Sequence, residues 1–358
     1  MRRNESVEAL RQKIDRIDAK VVNLLNDRAA LAQKIGRSKS LSSQEVYVPH
    51  REKEVLQRIT QLNRGPLSAR AVQAVFREII SACRALEAPL DVAFFGAAAT
   101  YTHLAAREKF GASVNLAPTS SIAEVFQAVS QERAAYGVVP IENSTEGVVA
   151  HTLDLLVESD LKICAEIFLD IHHHLLSRSG DPADVRKIVS HPQALAQCRN
   201  WLAHHFASVP VEEVASTAHA AIRASQDGSL AAISSAMARE VYGLQVVAAN
   251  IEDQSTNITR FVVIGKTRSR PSGDDKTSLV FSVKDRPGVL HRMLQPFARR
   301  RINLTKIESR PIKNKPWEYM FFLDLCGHCE ERAVGRAIAA LEKNCLFLKI
   351  LGSYPNGR

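Results

Sequence analysis

Between Val7 and Ile35 the apolar residues Val7, Leu10, Ile14, Ile17, Val21, Leu24, Leu31 and Ile35 recur at alternating steps of three and four. Only Arg28 interrupts the series, and it takes a seam position itself. With no proline before Pro49 and no glycine before Gly36, one helix can run for more than about thirty residues. At 1.5 Å per residue such a helix is roughly 50 Å long, too long for a lone small domain to cover its apolar stripe. The spacing therefore predicts that the helix packs against a second copy of itself. Further helices are expected from Pro49 to Asn63 and from Ser68 to Leu86, which makes residues 1–90 an all-α segment.

Arg28 is the physical oddity of that segment. A guanidinium on a buried seam needs an anion, either a protein carboxylate or a ligand. Arg28 and Lys39 are about three helical turns apart and share a face, whereas Arg11 lies roughly 25 Å back along the axis and about 100° around. An antiparallel pair of these helices brings Arg11 of one chain toward Arg28 of the other. Two arginines and a lysine suit a small dicarboxylate, because arginine forks grip carboxylates bidentately. The spacing fits a plain helical dimerisation domain with inter-chain salt bridges equally well.

After residue 90 the pattern changes. Short apolar strands are predicted at Asp91–Phe95, Tyr136–Ile141, Ile163–Leu169, Ile188–Ser190, Leu230–Ile233 and Arg260–Ile264, alternating with amphipathic helices. This α/β grammar over 91–266 implies two lobes with a cleft between them. A polar stretch, 267–276, reads as a linker. The remainder, 277–358, spells β-α-β-β-α-β, with strands at Ser278–Val283, Ile302–Glu308, Glu318–Leu325 and Phe347–Leu351, an order that is ferredoxin-like.

The net charge is +9, which raises nucleic acid as a partner. Aromatics make up only 6% of the chain and do not interleave with the basic residues, so a base-stacking platform is missing. Pockets for small anions are the expected use of the charge. Six irregularly spaced cysteines make no disulfide framework. The first residues lack an apolar signal core, and no apolar run approaches transmembrane length. A cytoplasmic protein that binds neither membrane nor nucleic acid is expected.

Polar clusters follow the apolar strands of the middle segment. Val138-Val139-Pro140-Ile141 leads into Glu142-Asn143-Ser144-Thr145-Glu146-Gly147. A strand ending in Asn, Ser and Thr before a helix presents backbone NH groups to an anion; an ordinary N-cap reads the same way. Ser190-His191-Pro192-Gln193 repeats the arrangement, and Asn257-Ile258-Thr259-Arg260-Phe261 enters another strand.

These motifs carry a family resemblance along the whole chain. LRQKIDRIDAKVVNLLNDRAALAQKIGRSK, followed by HRE at 50–52, resembles the all-helical chorismate mutase domain of the bifunctional P-proteins. The resemblance implies a homodimer in which the partner's Arg11, together with Arg28, binds the carboxylates of chorismate. It places Lys39 at the ether oxygen and Glu52 at the ring hydroxyl, with Cys83 and Glu87 falling where the family has Ser and Gln. The reaction is a pericyclic rearrangement, so the protein needs only to hold the reactive conformer and stabilise charge growing on that oxygen. Lys39 can do so as a cation, and Glu87 only while protonated, so mutase activity is expected to fall as Glu87 ionises. Some relatives carry Asp where this chain has Val48.

PIENSTEGVV, SHPQALAQC and NITRF, in this order, resemble the prephenate dehydratase domain of the same proteins. The resemblance implies a two-lobed, periplasmic-binding-like fold that converts prephenate to phenylpyruvate. Thr259 would be the residue on which activity most depends. Thr100, Asn143, Ser144, Thr145, Ser190, Gln193, Arg260 and Phe261 would bind substrate, with Arg260 orienting or holding a carboxylate. Glu142 fits either an acid or a supporting group. The family writes Gly-Pro-x-Gly-Thr where this chain has Gly96-Ala97-Ala98-Ala99-Thr100, and Ala99 can take a positive φ only with strain.

In the tail, Gly288-Val289-Leu290-His291 and Glu308-Ser309-Arg310-Pro311 resemble the ACT domain of P-proteins. That implies L-phenylalanine bound as a feedback inhibitor at a subunit interface. Cys326-Gly-His-Cys329 is a lone C-x-x-C without a second pair, and His172-His173-His174 reads as strand surface or cleft lining. No metal and no cofactor are expected, since neither reaction needs one. The competing readings are a mutase whose dehydratase is impaired at Ala97–Ala99, and a non-catalytic amino-acid-responsive binding protein.

Overall fold

The computed structural model describes residues 6–41, 49–284, 286–311 and 319–357, without the side chains of 39–41. Two compact units emerge: one of Met1–Val48, Val55–Leu90 and Phe110–Asn115, the other of Pro49–Glu54, Asp91–Lys109 and Leu116–Arg358.

The helical unit is built on α1 (Val7–Leu41), 35 residues long, with α2 (Pro49–Leu62) and α3 (Ala69–Glu87) following. Ser68 caps α3 by accepting a hydrogen bond from the Ala71 amide at 3.2 Å. At Gly36 an added Cβ would stand 2.9 Å from the Cα of Glu87, so glycine is what lets α1 and α3 approach there. The seam residues Val7, Leu10, Ile14, Ile17, Val21, Leu24, Leu31 and Ile35 are each 45–67% exposed along the full helix. An apolar stripe of that length stands unpaired within one chain.

The larger unit begins with β1 (Asp91–Phe95), α4 (Tyr101–Phe110), β2 (Asn115–Thr119), α5 (Ile122–Ser130), β3 (Tyr136–Asn143), β4 (Gly147–Val148), α6 (Ala150–Glu158) and β5 (Lys162–Asp170). The chain then crosses into β6 (His174–Ser177), β7 (Lys187–Ser190), α7 (Pro192–Gln197), α8 (Arg199–His205), β8 (Val211–Glu213), α9 (Thr217–Gln226), β9 (Leu230–Ser234), α10 (Ala236–Tyr242) and β10 (Gln245–Ala248). It returns as β11 (Ile258–Gly265). Two sheets result, ordered β2-β1-β3-β11-β5 and β10-β6-β9-β7-β8, with β4 paired to β3. Two crossings, before β6 and after β10, join the lobes.

The last segment forms β12 (Asp275–Ser282), α11 (Val289–Ala298), β13 (Leu304–Pro311), β14 (Tyr319–Cys326), α12 (Arg332–Glu342) and β15 (Phe347–Pro355), an antiparallel sheet of order β13-β14-β12-β15. Every residue of β12 is buried, because both sheet faces are covered. Leu279, Phe281, Leu323 and Leu325 pack under α11 and α12. Val280, Phe322 and Tyr354 instead join the core of the first lobe. The polar stretch read as a linker ends earlier than expected: Asp275 and Lys276 already belong to β12 and are buried. Polar composition misleads there because Lys276 is buried as one partner of an ion pair with Glu166 at 2.7 Å. Among the described residues no helix is long and apolar enough to cross a membrane.

Candidate functional site

In the helical unit Arg28 is half-buried on α1, about two turns before Gly36 and beside the exposed seam. Cys83 and Glu87 share a face of α3, one buried and one half-buried, with Glu87 against Gly36. Arg11 is exposed, 3.7 Å from Glu8. The Lys39 side chain lies outside the described residues. Glu52, in the first turn of α2, is buried within the other unit. One chain thus carries Arg28 on α1 and Cys83 and Glu87 on the α3 that packs against it, and leaves Arg11 exposed.

Between the two lobes of the larger unit lies a cleft of about 750 Å³, lined by Thr100, Asn143, Gln193 and Thr259 among others. Its centre is a chain of side-chain hydrogen bonds. Asn143 Nδ2 donates to Thr259 Oγ1 at 2.7 Å and to Asn257 Oδ1 at 2.8 Å. Asn257 Nδ2 donates to Gln197 Oε1 at 2.9 Å, which also contacts His173 Nε2 at 2.8 Å. The Tyr101 hydroxyl closes the chain on His173 Nδ1 at 2.7 Å. Burial lowers the pKa of His173 and raises that of Tyr101 well above its ordinary value, so both are neutral near pH 7. Because Thr259 Oγ1 accepts from Asn143, its own proton remains available to a group in the cleft.

Among the described residues no lysine or arginine lines this cleft. What it offers an anion is the first turns of α4 and α9, whose Tyr101, Thr102 and Thr217 form part of the wall. A helix N-terminus carries about half a positive charge and unpaired NH groups. Two of them, with uncharged donors between, suit a dicarboxylate.

The sequence-based candidates divide. Thr145 lies just outside the wall, where its amide donates to Asn143 Oδ1 at 2.9 Å and helps orient that side chain. Ser144 faces the other way: its hydroxyl donates to Thr256 O and accepts from Ile258 N. Ser190 is fully buried and donates to Ile233 O at 2.7 Å across neighbouring strands, so it supports the sheet. Phe261 is 2% exposed and packs in the interior. Arg260, expected to orient or hold a carboxylate, points away from the cleft. Side chains alternate along a strand, and its guanidinium is buried against Glu166, Asp324 and Tyr354. Glu142 lies on that same back side, 2.8 Å from Lys306. Tyr101, Gln197, Asn257 and His191 also line the cleft, the last three inside the quoted motifs though none was named as binding substrate, and His173 is the one histidine of its run that does so.

The loop at the cleft mouth does take the strained conformation: Ala99 has φ +65° and is fully buried. Its amide donates to His103 Nδ1 at 3.0 Å, and its carbonyl accepts from Ser235 at 2.7 Å. His103 stacks on Phe94, and burial, then the Arg107 charge, lower its pKa, which keeps Nδ1 free to accept. A left-handed alanine costs ~1–2 kcal/mol, while the buried methyl contributes ~0.8 kcal/mol. Ala99→Gly is therefore expected to change stability by no more than ~1 kcal/mol, read from urea unfolding midpoints. A loss above ~2 kcal/mol would show that the methyl, and not the turn, dominates.

In the C-terminal segment Gly288 has φ +72° and opens α11, against whose core Val289 and Leu290 pack, while His291 is exposed. Glu308, Ser309, Arg310 and Pro311 lie on the edge strand β13. Arg310 Nη1 reaches across to Asp154 at 2.7 Å and to the Ala150 carbonyl, both on α6.

Comparison with known proteins accords with this geometry. Family profiles match chorismate mutase type II over residues 10–88, prephenate dehydratase over 92–269 and the ACT domain over 277–343. The bifunctional chorismate mutase/prephenate dehydratase of Aquifex aeolicus is 49% identical over 355 residues, covering 98% of both chains. A prephenate dehydratase of Arthrobacter aurescens, solved with L-Phe, superposes with a TM-score of 0.69 at 32% identity, over 75% of this chain and 90% of that one. A structure described as GqqA, a novel type of quorum quenching acylase, gives the same TM-score at 31% identity, over 74% of this chain and 97% of that one. Nearly full-length identity at this level, with the three profiles in order, places the chain in the bifunctional chorismate mutase/prephenate dehydratase family.

Proposed function

We propose that this chain converts chorismate to prephenate in its helical unit and prephenate to phenylpyruvate in the cleft, under feedback by L-phenylalanine. The observation that carries the second step is the Asn143–Thr259 hydrogen bond, which leaves a hydroxyl proton free in a cleft suited to a dicarboxylate. As the carboxylate leaves as CO2, the electron pair of the broken bond enters the ring and expels the ring hydroxyl. Hydroxide is a poor leaving group, so a hydrogen bond from Thr259 stabilises the charge it gains. The helix N-termini hold the substrate, and neutral His173 and Tyr101 keep the Asn143 network in one hydrogen-bonding pattern.

For the first step, the exposed seam of α1 is the surface a second copy covers. Covering it brings the partner subunit's Arg11 toward Arg28, with Lys39, Glu52, Cys83 and Glu87 completing the pocket. The assembly is a cytoplasmic homodimer. Its middle domain (91–266) is periplasmic-binding-like, between a mutase domain (1–90) and a ferredoxin-like ACT domain. Phenylalanine binds where Gly288–His291 and Glu308–Pro311 of two subunits come together.

The decisive experiment gives the purified protein prephenate and follows phenylpyruvate, with and without L-phenylalanine. Turnover suppressed by phenylalanine is expected. A folded protein that consumes chorismate but leaves prephenate untouched would reduce the assignment to a mutase and point to the Ala97–Ala99 loop.

A further inference from the structure

The two strands that carry the cleft's central pair have a second face. β3 and β11 run antiparallel with Thr259 opposite Asn143 and Arg260 opposite Glu142. Thr259 and Asn143 look into the cleft, whereas Arg260 and Glu142 look at the ACT sheet. There Arg260 Nη1 meets Asp324 at 2.6 Å, Nη2 meets the Tyr354 hydroxyl at 2.9 Å, and Nε meets Glu166 at 2.9 Å. Lys306 lies 2.8 Å from Glu142, and Lys276 lies 2.7 Å from Glu166. Arg260, Lys276 and Lys306 balance Glu142, Glu166 and Asp324, so the cluster is closed in charge, and the Glu166 side chain is fully buried. Lys306, Asp324, Lys276 and Tyr354 come from the ACT domain, and the rest from the dehydratase domain.

Resting on the functional reading above, we propose that Arg260 is a positioning residue for Thr259, and that the Lys306–Glu142–Arg260–Asp324 cluster carries the ACT domain's state to the dehydratase cleft. Lys306 stands two residues before Glu308 on β13, the strand read as binding phenylalanine. Lys306 and Arg310 project on one side of that strand, and Arg310 holds Asp154 on α6. The α6 helix follows β4, which pairs with β3 at Glu142 and Asn143. A shift of β13 therefore pulls on the Asn143–Thr259 strand pair at two points. The β3–β11 register slips between Arg260 and Phe261, so the ladder is already irregular beside Thr259. A cavity of about 330 Å³ borders Glu142, Arg260, Lys306 and Asp324, which gives these side chains room to exchange partners. Displacing a reacting group by about 1 Å can cost roughly 100-fold in rate, so a small strand shift suffices.

The test uses the full-length protein and reads phenylalanine binding by calorimetry separately from dehydratase inhibition, with mutase turnover as the control for folding. The wild type is expected to lose roughly 5- to 150-fold of its dehydratase efficiency at saturating phenylalanine, the usual range of coupling. Lys306→Gln should bind phenylalanine and keep its basal rate, yet lose no more than about twofold on binding it. Lys306→Arg, which preserves the pair with Glu142, should restore the response. Arg260→Lys should lower dehydratase kcat by about 10- to 100-fold with little change in KM, since it misplaces Thr259 without touching substrate. A Lys306→Gln enzyme that binds phenylalanine and is inhibited as fully as the wild type overturns the route alone. A wild type indifferent to phenylalanine overturns the regulatory reading and the route with it. An Arg260→Lys enzyme with unchanged kcat overturns the positioning role.

Discussion

Thr259→Val is expected to lower dehydratase kcat by about 10²- to 10⁴-fold, the range supplied by a positioned proton donor, while mutase turnover in the same protein stays unchanged. The substitution keeps the shape and the β-branched character of a strand residue, so the sheet of β3 and β11 should hold. What disappears is the hydroxyl that accepts from Asn143 and faces the cleft. Asn143 Nδ2 retains Asn257 Oδ1 as a partner, so the loss falls on the reacting hydroxyl of prephenate more than on the network behind it. KM should move little, because the helix N-termini and not Thr259 hold the carboxylates. Thr259→Ser restores the donor and should recover most of the rate. Steady-state phenylpyruvate formation measures both. A valine variant that keeps more than about a tenth of the wild-type kcat would remove Thr259 from the chemistry.

How much of this was legible in the sequence follows from how local each signal is. The long helix could be read because its apolar repeat is a property of consecutive residues, and α1 spans Val7–Leu41. The strands β1, β3, β5 and β11 were legible for the same reason. β2, β8 and β10 were not: they are short, none of their residues is fully buried, and β2 contains Pro118, so neither apolar run nor alternation marks them. The site divides along the same line. Alternation told that Thr259 and Arg260 face opposite ways. It could not tell what lies behind Arg260, because Asp324 and Tyr354 arrive from 64 and 94 residues away. Ser190 shows the converse failure. A serine closing an apolar strand looks the same whether it meets a ligand or, as here, the carbonyl of Ile233 on the next strand. Gln197 and Asn257 sit inside the SHPQALAQC and NITRF motifs and His173 inside a run read as strand surface or cleft lining, but only the fold brings them and Tyr101 into one hydrogen-bonded chain.

Arg260→Met should destabilise the larger unit by ~3–5 kcal/mol, the cost of leaving buried charges without their partner. The Arg260 side chain is 7% exposed, Glu166 is 0% and Asp324 is 10%. Removing the guanidinium leaves Glu166 with Lys276 and the Gly357 amide, and leaves the Asp324 side chain, among the described residues, with the Ser278 hydroxyl alone. Asp324 is nearly buried, so desolvation makes the loss of its cationic partner costly. The surface pair Arg107–Glu240 sets the scale: at 3.1 Å its geometry is similar, but its side chains are 41% and 67% exposed. Arg107→Met should therefore cost less than ~1 kcal/mol. Denaturant unfolding, followed in both variants beside the wild type, measures the difference. Adding Asp324→Asn to Arg260→Met removes the stranded charge, and the double variant should regain part of the loss. If Arg260→Met instead unfolds like Arg107→Met, the cluster relaxes or hydrates readily. The ACT sheet would then be held to the dehydratase lobe chiefly by the packing of Val280, Phe322 and Tyr354, with bonds outside the cluster such as Arg310–Asp154, and the cluster's charges would be left with a regulatory role.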